Sequence, residues 1–280
     1  LVFCVFYYLS GDLKTVEFFV LFGGCLIMSI TGFLDDIIEI RPFNRLIIQF
    51  LAAGWGLYWI GGIPYSALFN QMPGLYAFAN VIAIVAIVWF INAFNFMDGI
   101  DGMLTSGATF FSLSIGGYLL WQGIEPYGSL LIILAASSLA FLYFNWPPAK
   151  MFLGDAGSYF YGYLFAILSL ITVKNEYLSI WTWLIIFAYF ITDTATTTFL
   201  RILLVKNWYH THRSHAYQNL ARVLNNHKFV TVLILGINLF YLLPLAYLSI
   251  QYQQYAWLAF LASVIPIFVF VLKYGPLYAR

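Results

Sequence analysis

Along the chain, long apolar runs alternate with short polar breaks. A helix that crosses a bilayer needs about 20 predominantly apolar residues. Nine runs approach that length: 16–34, 45–63, 79–97, 103–121, 128–146, 158–173, 179–200, 229–250 and 254–272. Residues 1–9 read as the tail of a further span, and the chain opens on Leu1 rather than Met, so N-terminal spans are expected ahead of it. The runs are too long and unbroken for barrel strands, which alternate polar and apolar residues. The pattern predicts an all-α, polytopic transmembrane helical bundle with about 9–10 spans, folded as one domain over residues 1–280. Within the longest polar break, 206–228, residues Ser214 to Leu224 place Ala216, Leu220, Val223 and Leu224 against His215, Gln218, Asn219 and Arg222. That spacing predicts an amphipathic helix lying on the membrane surface.

Composition agrees: 63% of residues are hydrophobic and 8% charged, against about 25% charged in soluble domains. The net charge of +1 says nothing about nucleic acid, there is no basic stripe, and no nucleic-acid partner is expected. Cys4 and Cys25 sit in apolar stretches and read as buried thiols rather than a disulfide. The basic residues set the orientation. The side holding Asp35 collects Arg41, Arg45, Lys150, Arg201, Lys206, Arg213, Arg222, Lys228, Lys273 and Arg280, which leaves Lys14 and Lys174 for the other. The first side is therefore the cytoplasm. Alternation of spans puts Asp98, Asp101, Asp155 and the loop 201–228 on that same side.

Four clusters carry candidate chemistry, because ionisable groups at membrane depth are costly and functional by default. Asn92, Asn95 and Asp98 recur every third residue and share a helix face. Gly99 and Gly102 then release the helix around Asp101. A hard cation such as Mg²⁺ takes oxygen ligands, often one or two carboxylates plus substrate phosphate, and Asn95, Asp98 and Asp155 supply them. The plainer reading is that the asparagines tie helices together. Asp35-Asp36 is either a solvated helix end or a pair whose repulsion a cation relieves, one member acting on a phosphate or alcohol nucleophile. In Phe152-Leu153-Gly154-Asp155-Ala156-Gly157-Ser158, small residues beside an acid open a span. A helix N-terminus there favours phosphate, and Phe152 either stacks on a base or faces lipid. His210-Thr211-His212-Arg213-Ser214-His215 lacks zinc-protease spacing and fits a diphosphate clamp, with Arg213 as a bidentate donor. Asp193, among Thr192, Thr194, Thr196, Thr197 and Thr198, is expected to face the bundle interior, as a site residue or as a tie between helices.

These clusters, in this order from Asp35 to about Gln218, resemble the polyprenyl-phosphate N-acetylhexosamine-1-phosphate transferases, the MraY/WecA-like family. Asn92–Gly102 and Phe152–Ser158 are the most specific pieces of the match. The resemblance implies a fold of about eleven spans and a Mg²⁺ site, with Mn²⁺ as a substitute, facing the cytoplasm of a bacterial inner membrane. It implies transfer of a sugar 1-phosphate from a UDP-N-acetyl sugar to undecaprenyl phosphate with release of UMP, within the lipid bilayer and with a homodimer as a further expectation. By the same resemblance Asp155 is the principal metal ligand, with Asn95 and Asp98 beside it. Asp101 and Phe152 contact uracil, and Asn92 belongs to the substrate-binding set. Asp35 or Asp36 handles the lipid phosphate, and His212, Arg213 and His215 form the diphosphate and sugar loop. The text His-Arg-Ser-His-Ala-Tyr-Gln departs from the run of three histidines in the muramoyl-pentapeptide branch. It resembles the branch that starts O-antigen or capsule chains, some of whose members use 6-deoxy N-acetyl sugars. The family's first cytoplasmic loop has no counterpart here.

The mechanism expected is attack of the lipid phosphate on the β-phosphorus of the UDP-sugar, in one step or through an aspartyl intermediate. The alternatives are a CDP-alcohol phosphotransferase, which has Ala-Arg where Met103-Leu104 stands here; an intramembrane aspartyl protease, which needs its acids within spans; and a transporter, which needs helices broken at the midplane and repeats.

Overall fold

The computed structural model describes residues 2–64, 72–204 and 213–277. Among them every regular element is helical. We number the helices α1 (Val2–Leu9), α2 (Thr15–Ile38), α3 (Pro42–Ile60), α4 (Pro73–Phe96), α5 (Met103–Trp121), α6 (Glu125–Asn145), α7 (Gly154–Lys174), α8 (Ile180–Ile186), α9 (Ala188–Leu204), α10 (Ala216–Leu224), α11 (His227–Gln251) and α12 (Ala256–Tyr274). Among the described residues seven stretches are long and apolar enough to cross a membrane, and up to eight if α8 and α9, bent by 76° at Phe187, form one span. That is fewer than the 9–10 expected from the runs. The run at 45–63 is helical, as α3, but Asn44, Arg45 and Gln49 in its first turns leave it less apolar than the rest. The run at 1–9 is helical over Val2–Leu9.

The chain packs as two compact units. The first comprises residues 1–95, 116–132 and 153–178. Its core is α2 against α7, with α3 packed on both. Side chains at α2 are small where the two backbones meet. A Cβ at Gly32 would overlap the carbonyl of Asp155 and the amide of Ala156, so only glycine allows the approach. One turn of α2, Phe19–Gly24, is a π turn. There the hydroxyl of Tyr163 on α7 donates to the carbonyl of Val20 at 3.3 Å, satisfying a group that the widened turn leaves available.

The second unit comprises residues 96–115, 133–152 and 179–280. Here α9 packs on α12 and α8 on α11. Phe111 of α5 meets the rings of Phe187 and Phe190 edge-on at 4.7 and 5.1 Å, filling the bend between α8 and α9. Helix α10 covers part of the predicted amphipathic segment, but its polar face is not all solvated. His215 and Asn219 are buried because each has partners: Asp193 for the first, the carbonyls of Tyr274 and Gly275 at 2.8 and 3.0 Å for the second. Val223 and Leu224 are exposed instead. The helix thus packs its N-terminal half into the unit and leaves its last turn outside.

Candidate active site

In the first unit three helix ends meet around two carboxylates. Asp35, in the last turn of α2, is buried. Its Oδ1 accepts from the backbone N–H of Ile40 at 2.8 Å, as the chain leaves α2 through a left-handed Glu39. Its Oδ2 accepts from Arg45 Nη1 of α3 at 2.8 Å and from the Tyr159 hydroxyl of α7 at 3.0 Å. Asp155, in the first turn of α7, faces the same pair: its Oδ2 lies 3.2 Å from the Tyr159 hydroxyl and 3.8 Å from Arg45 Nη1. Asn95, in the last turn of α4, donates to Asp155 Oδ1 at 2.6 Å and to Ser158 Oγ at 3.0 Å. The end of α2, the end of α4 and the start of α7 therefore lie on one membrane side, as the alternation of spans required.

Asp36 is exposed beside this cluster and accepts from the backbone N–H groups of Asp155 and Ala156 at 2.9 and 3.2 Å. It caps α7, where orphan amide protons and the helix dipole favour negative charge. The approach depends on Gly154, which adopts φ +69 and whose hypothetical Cβ would sit 2.6 Å from Asp36 Oδ2. Asn92 donates to Gln49 of α3 at 2.7 Å and to the Val88 carbonyl at 2.8 Å, the helix-tying arrangement.

Asp35 and Asp155 here share one guanidinium, that of Arg45, with Asp36 beside them, and every side-chain acceptor is an oxygen. Among the described residues no three His, Cys, Asp or Glu side chains converge so as to hold a metal ion. Mg²⁺, however, binds through one or two protein carboxylates and completes its shell with water and substrate phosphate. The donor set around Asp155 and its excess of negative charge fit that ion.

The second unit holds the other predicted residues. Asp98 lies in the turn after α4, and this turn is pinned by Tyr217 of α10: the phenol donates to the Phe96 carbonyl at 2.6 Å and accepts from the Gly99 N–H at 2.9 Å. Burial first, and then the charges of Asp193 and Asp98, hold the Tyr217 phenol well above its ordinary pKa, so it remains a neutral donor. Asp101 joins three segments. Its Oδ2 accepts from the Ala149 N–H at 3.1 Å and lies 3.6 Å from His227 Nδ1, while its carbonyl accepts from Thr231 at 2.9 Å. Asn145 accepts from the Gly102 N–H at 3.1 Å and donates to the Met151 carbonyl at 2.9 Å, knitting the same loops. Phe152 is 75% exposed, an open ring face. Arg213 is exposed and its carbonyl accepts from Arg222 at 2.7 Å. His215 is turned inward onto Asp193, its ring against Phe96 at 5.6 Å. Asp193 is fully buried, as its threonine surroundings predicted. His212 lies outside the described residues.

Arg45 and Tyr159 escaped the sequence reading as parts of the cluster around Asp155. Arg45 served there only as a marker of orientation. Tyr159 had a usable signal: it follows Asp155 by four residues, one helical turn, and so shares its face.

A family model described as glycosyl transferase family 4 matches residues 18–173, more than half of the chain. Among curated relatives, a phospho-N-acetylmuramoyl-pentapeptide-transferase of Streptococcus thermophilus is 31% identical over 183 residues, 61% of this chain and 52% of the relative. One of the same name from Streptococcus pneumoniae is 33% identical over 181 residues, 61% and 54% of the two chains. A probable undecaprenyl-phosphate N-acetylglucosaminyl 1-phosphate transferase of Bacillus subtilis is 33% identical over 154 residues, 53% of this chain and 42% of the relative. The chain spans about half the length of the curated relatives it matches.

Proposed function

Because the chain belongs to glycosyl transferase family 4, we propose that it transfers an N-acetylhexosamine 1-phosphate, 6-deoxy N-acetyl sugars included, from a UDP-sugar to undecaprenyl phosphate. The product is a polyprenyl-diphosphate sugar that starts O-antigen or another envelope polysaccharide, and UMP is released. The reaction takes place at the cytoplasmic face of a bacterial inner membrane. The observation that carries this reading is the convergence of Asp35, Arg45, Tyr159, Asp155 and Asn95 at the ends of apolar helices. Such a cluster suits an anionic reaction in which positioning and charge stabilisation do most of the work.

An oxygen of the lipid phosphate forms a bond to the β-phosphorus of the UDP-sugar. The bond from that phosphorus to the bridging oxygen breaks, and the bridging oxygen leaves with UMP. Asp155 and Asn95 would hold Mg²⁺, which would supply neutralisation of the diphosphate charge. Asp36, the exposed member of its pair, takes any proton remaining on the lipid phosphate. Asp35, buried, holds Arg45 and Tyr159 against Asp155. Asp98, Asp101, Phe152, His212 and Arg213 keep the diphosphate and uracil roles that their motifs imply.

A second reading is a muramoyl-pentapeptide donor, favoured by the names of two of the relatives above. The test is UMP release by purified full-length protein with Mg²⁺, undecaprenyl phosphate and a panel of UDP-N-acetyl sugars that includes UDP-N-acetylmuramoyl-pentapeptide. UMP that requires both lipid and Mg²⁺, and falls roughly 100-fold or more in Asp155→Asn, is the expected result. The donor that works separates the two readings. No UMP from any donor, with the protein folded, would sink both and turn attention to CDP-linked substrates or to transport.

A further inference from the structure

Asp193 takes no part in the chemistry proposed above, yet its carboxylate is fully buried. Its Oδ1 accepts from the Ala216 N–H and the Thr197 hydroxyl, both at 3.1 Å, and lies 3.3 Å from His215 Nδ1. Its Oδ2 accepts from the Tyr217 N–H at 3.3 Å. A buried carboxylate persists only where its lone pairs are satisfied. Here they are satisfied by the first amide protons of α10, donors that a helix start otherwise leaves without partners. Asp193 therefore fastens the start of α10 to α9.

From that fastened start, the Tyr217 phenol spans the turn 96–99, donating to the Phe96 carbonyl and accepting from the Gly99 N–H. Gly99 is closed over by the same residue: a Cβ there would overlap the Tyr217 hydroxyl and the Gln218 side chain. Asp98 sits inside this braced turn, and Arg213 lies just ahead of the helix that braces it.

We propose that Asp193 and Tyr217 are positioning residues for Asp98, acting in series from α9 through α10 to the turn 96–99. This rests on the diphosphate role proposed for Asp98. Neither residue touches substrate. Asp193 sets the place of α10, and Tyr217 transmits it to the turn.

The test combines hydrogen exchange and kinetics on the purified full chain in detergent. Tyr217→Phe keeps the ring and loses both hydroxyl bonds. Amide exchange across 97–101 then rises about tenfold, while exchange across 218–221 stays within about twofold of wild type. Asp193→Asn, and Asp193→Ala if it folds, raise exchange in both segments. In UMP release, Tyr217→Phe lowers kcat about tenfold and leaves KM for undecaprenyl phosphate unchanged. Unchanged exchange across 97–101 in Tyr217→Phe overturns the brace. Raised exchange with wild-type kcat overturns the positioning role. A wild-type protein that releases no UMP is a failure of the transferase reading, and the exchange data still decide the brace.

Discussion

Asp36 and Gly154 form the tightest residue-level dependence at the site. The carboxylate reaches two amide protons of α7 only because position 154 has no side chain and takes a left-handed backbone. Gly154→Ala meets both obstacles. It is expected to lose about 1–3 kcal/mol of stability, seen as a lowered thermal midpoint in detergent, and to reduce transfer by displacing Asp36. A variant with wild-type midpoint and activity would show that the cap is dispensable. At this scale the sequence was informative about identity and poor on contact. The acids announced themselves by their cost in an apolar chain. Asp35 and Asp155, however, are linked through Arg45 and Tyr159, and a contact across so long a stretch of chain leaves no local pattern to read.

Among the elements, the fit of α2 on α7 sets the spacing of the carboxylates. Gly32 lies one turn before Asp36 and touches the backbone at Asp155. Gly32→Leu is expected to push the two helices apart, at a cost of about 1–3 kcal/mol, and to abolish UMP release by separating Asp35 from Tyr159. Gly54→Leu serves as the comparison, since a Cβ there meets nothing within 4 Å; equal loss in both would refute the argument from packing. Helices were legible as elements because each apolar run is longer than a strand can be. Their interruptions were not. The bend at Phe187 is set by ring packing with Phe111, and the hidden side of α10 by partners for His215 and Asn219 that lie on other elements.

For the whole molecule, the distribution of Lys and Arg foretold which helix ends share a side, and the meeting of α2, α4 and α7 at Asp155 agrees with it. The same rule predicts the side itself. An impermeant maleimide applied to intact cells should label Lys174→Cys, at the far end of α7 from Asp155. It should label Lys228→Cys, at the start of α11, only after the membrane is opened. Both lysines are exposed, while the native Cys4 and Cys25 are buried and contribute little background. Labelling in the reverse order would invert the proposed orientation and with it the cytoplasmic site.

The π turn at Phe19–Gly24 bears on how much the length of this chain is free to drift. A π turn closes on the fifth residue ahead instead of the fourth, so it stores one additional residue while the helix on either side keeps its phase. Loss of that residue would restore an ordinary α turn and leave Asp35 pointing at Tyr159. An insertion or deletion of one residue in most of α2 would rotate everything beyond it by about 100° and swing Asp35 toward lipid. Within Phe19–Gly24 the span can shed a residue without turning its far end, so evolution can trim the membrane-crossing length there while the acid cluster stays aimed.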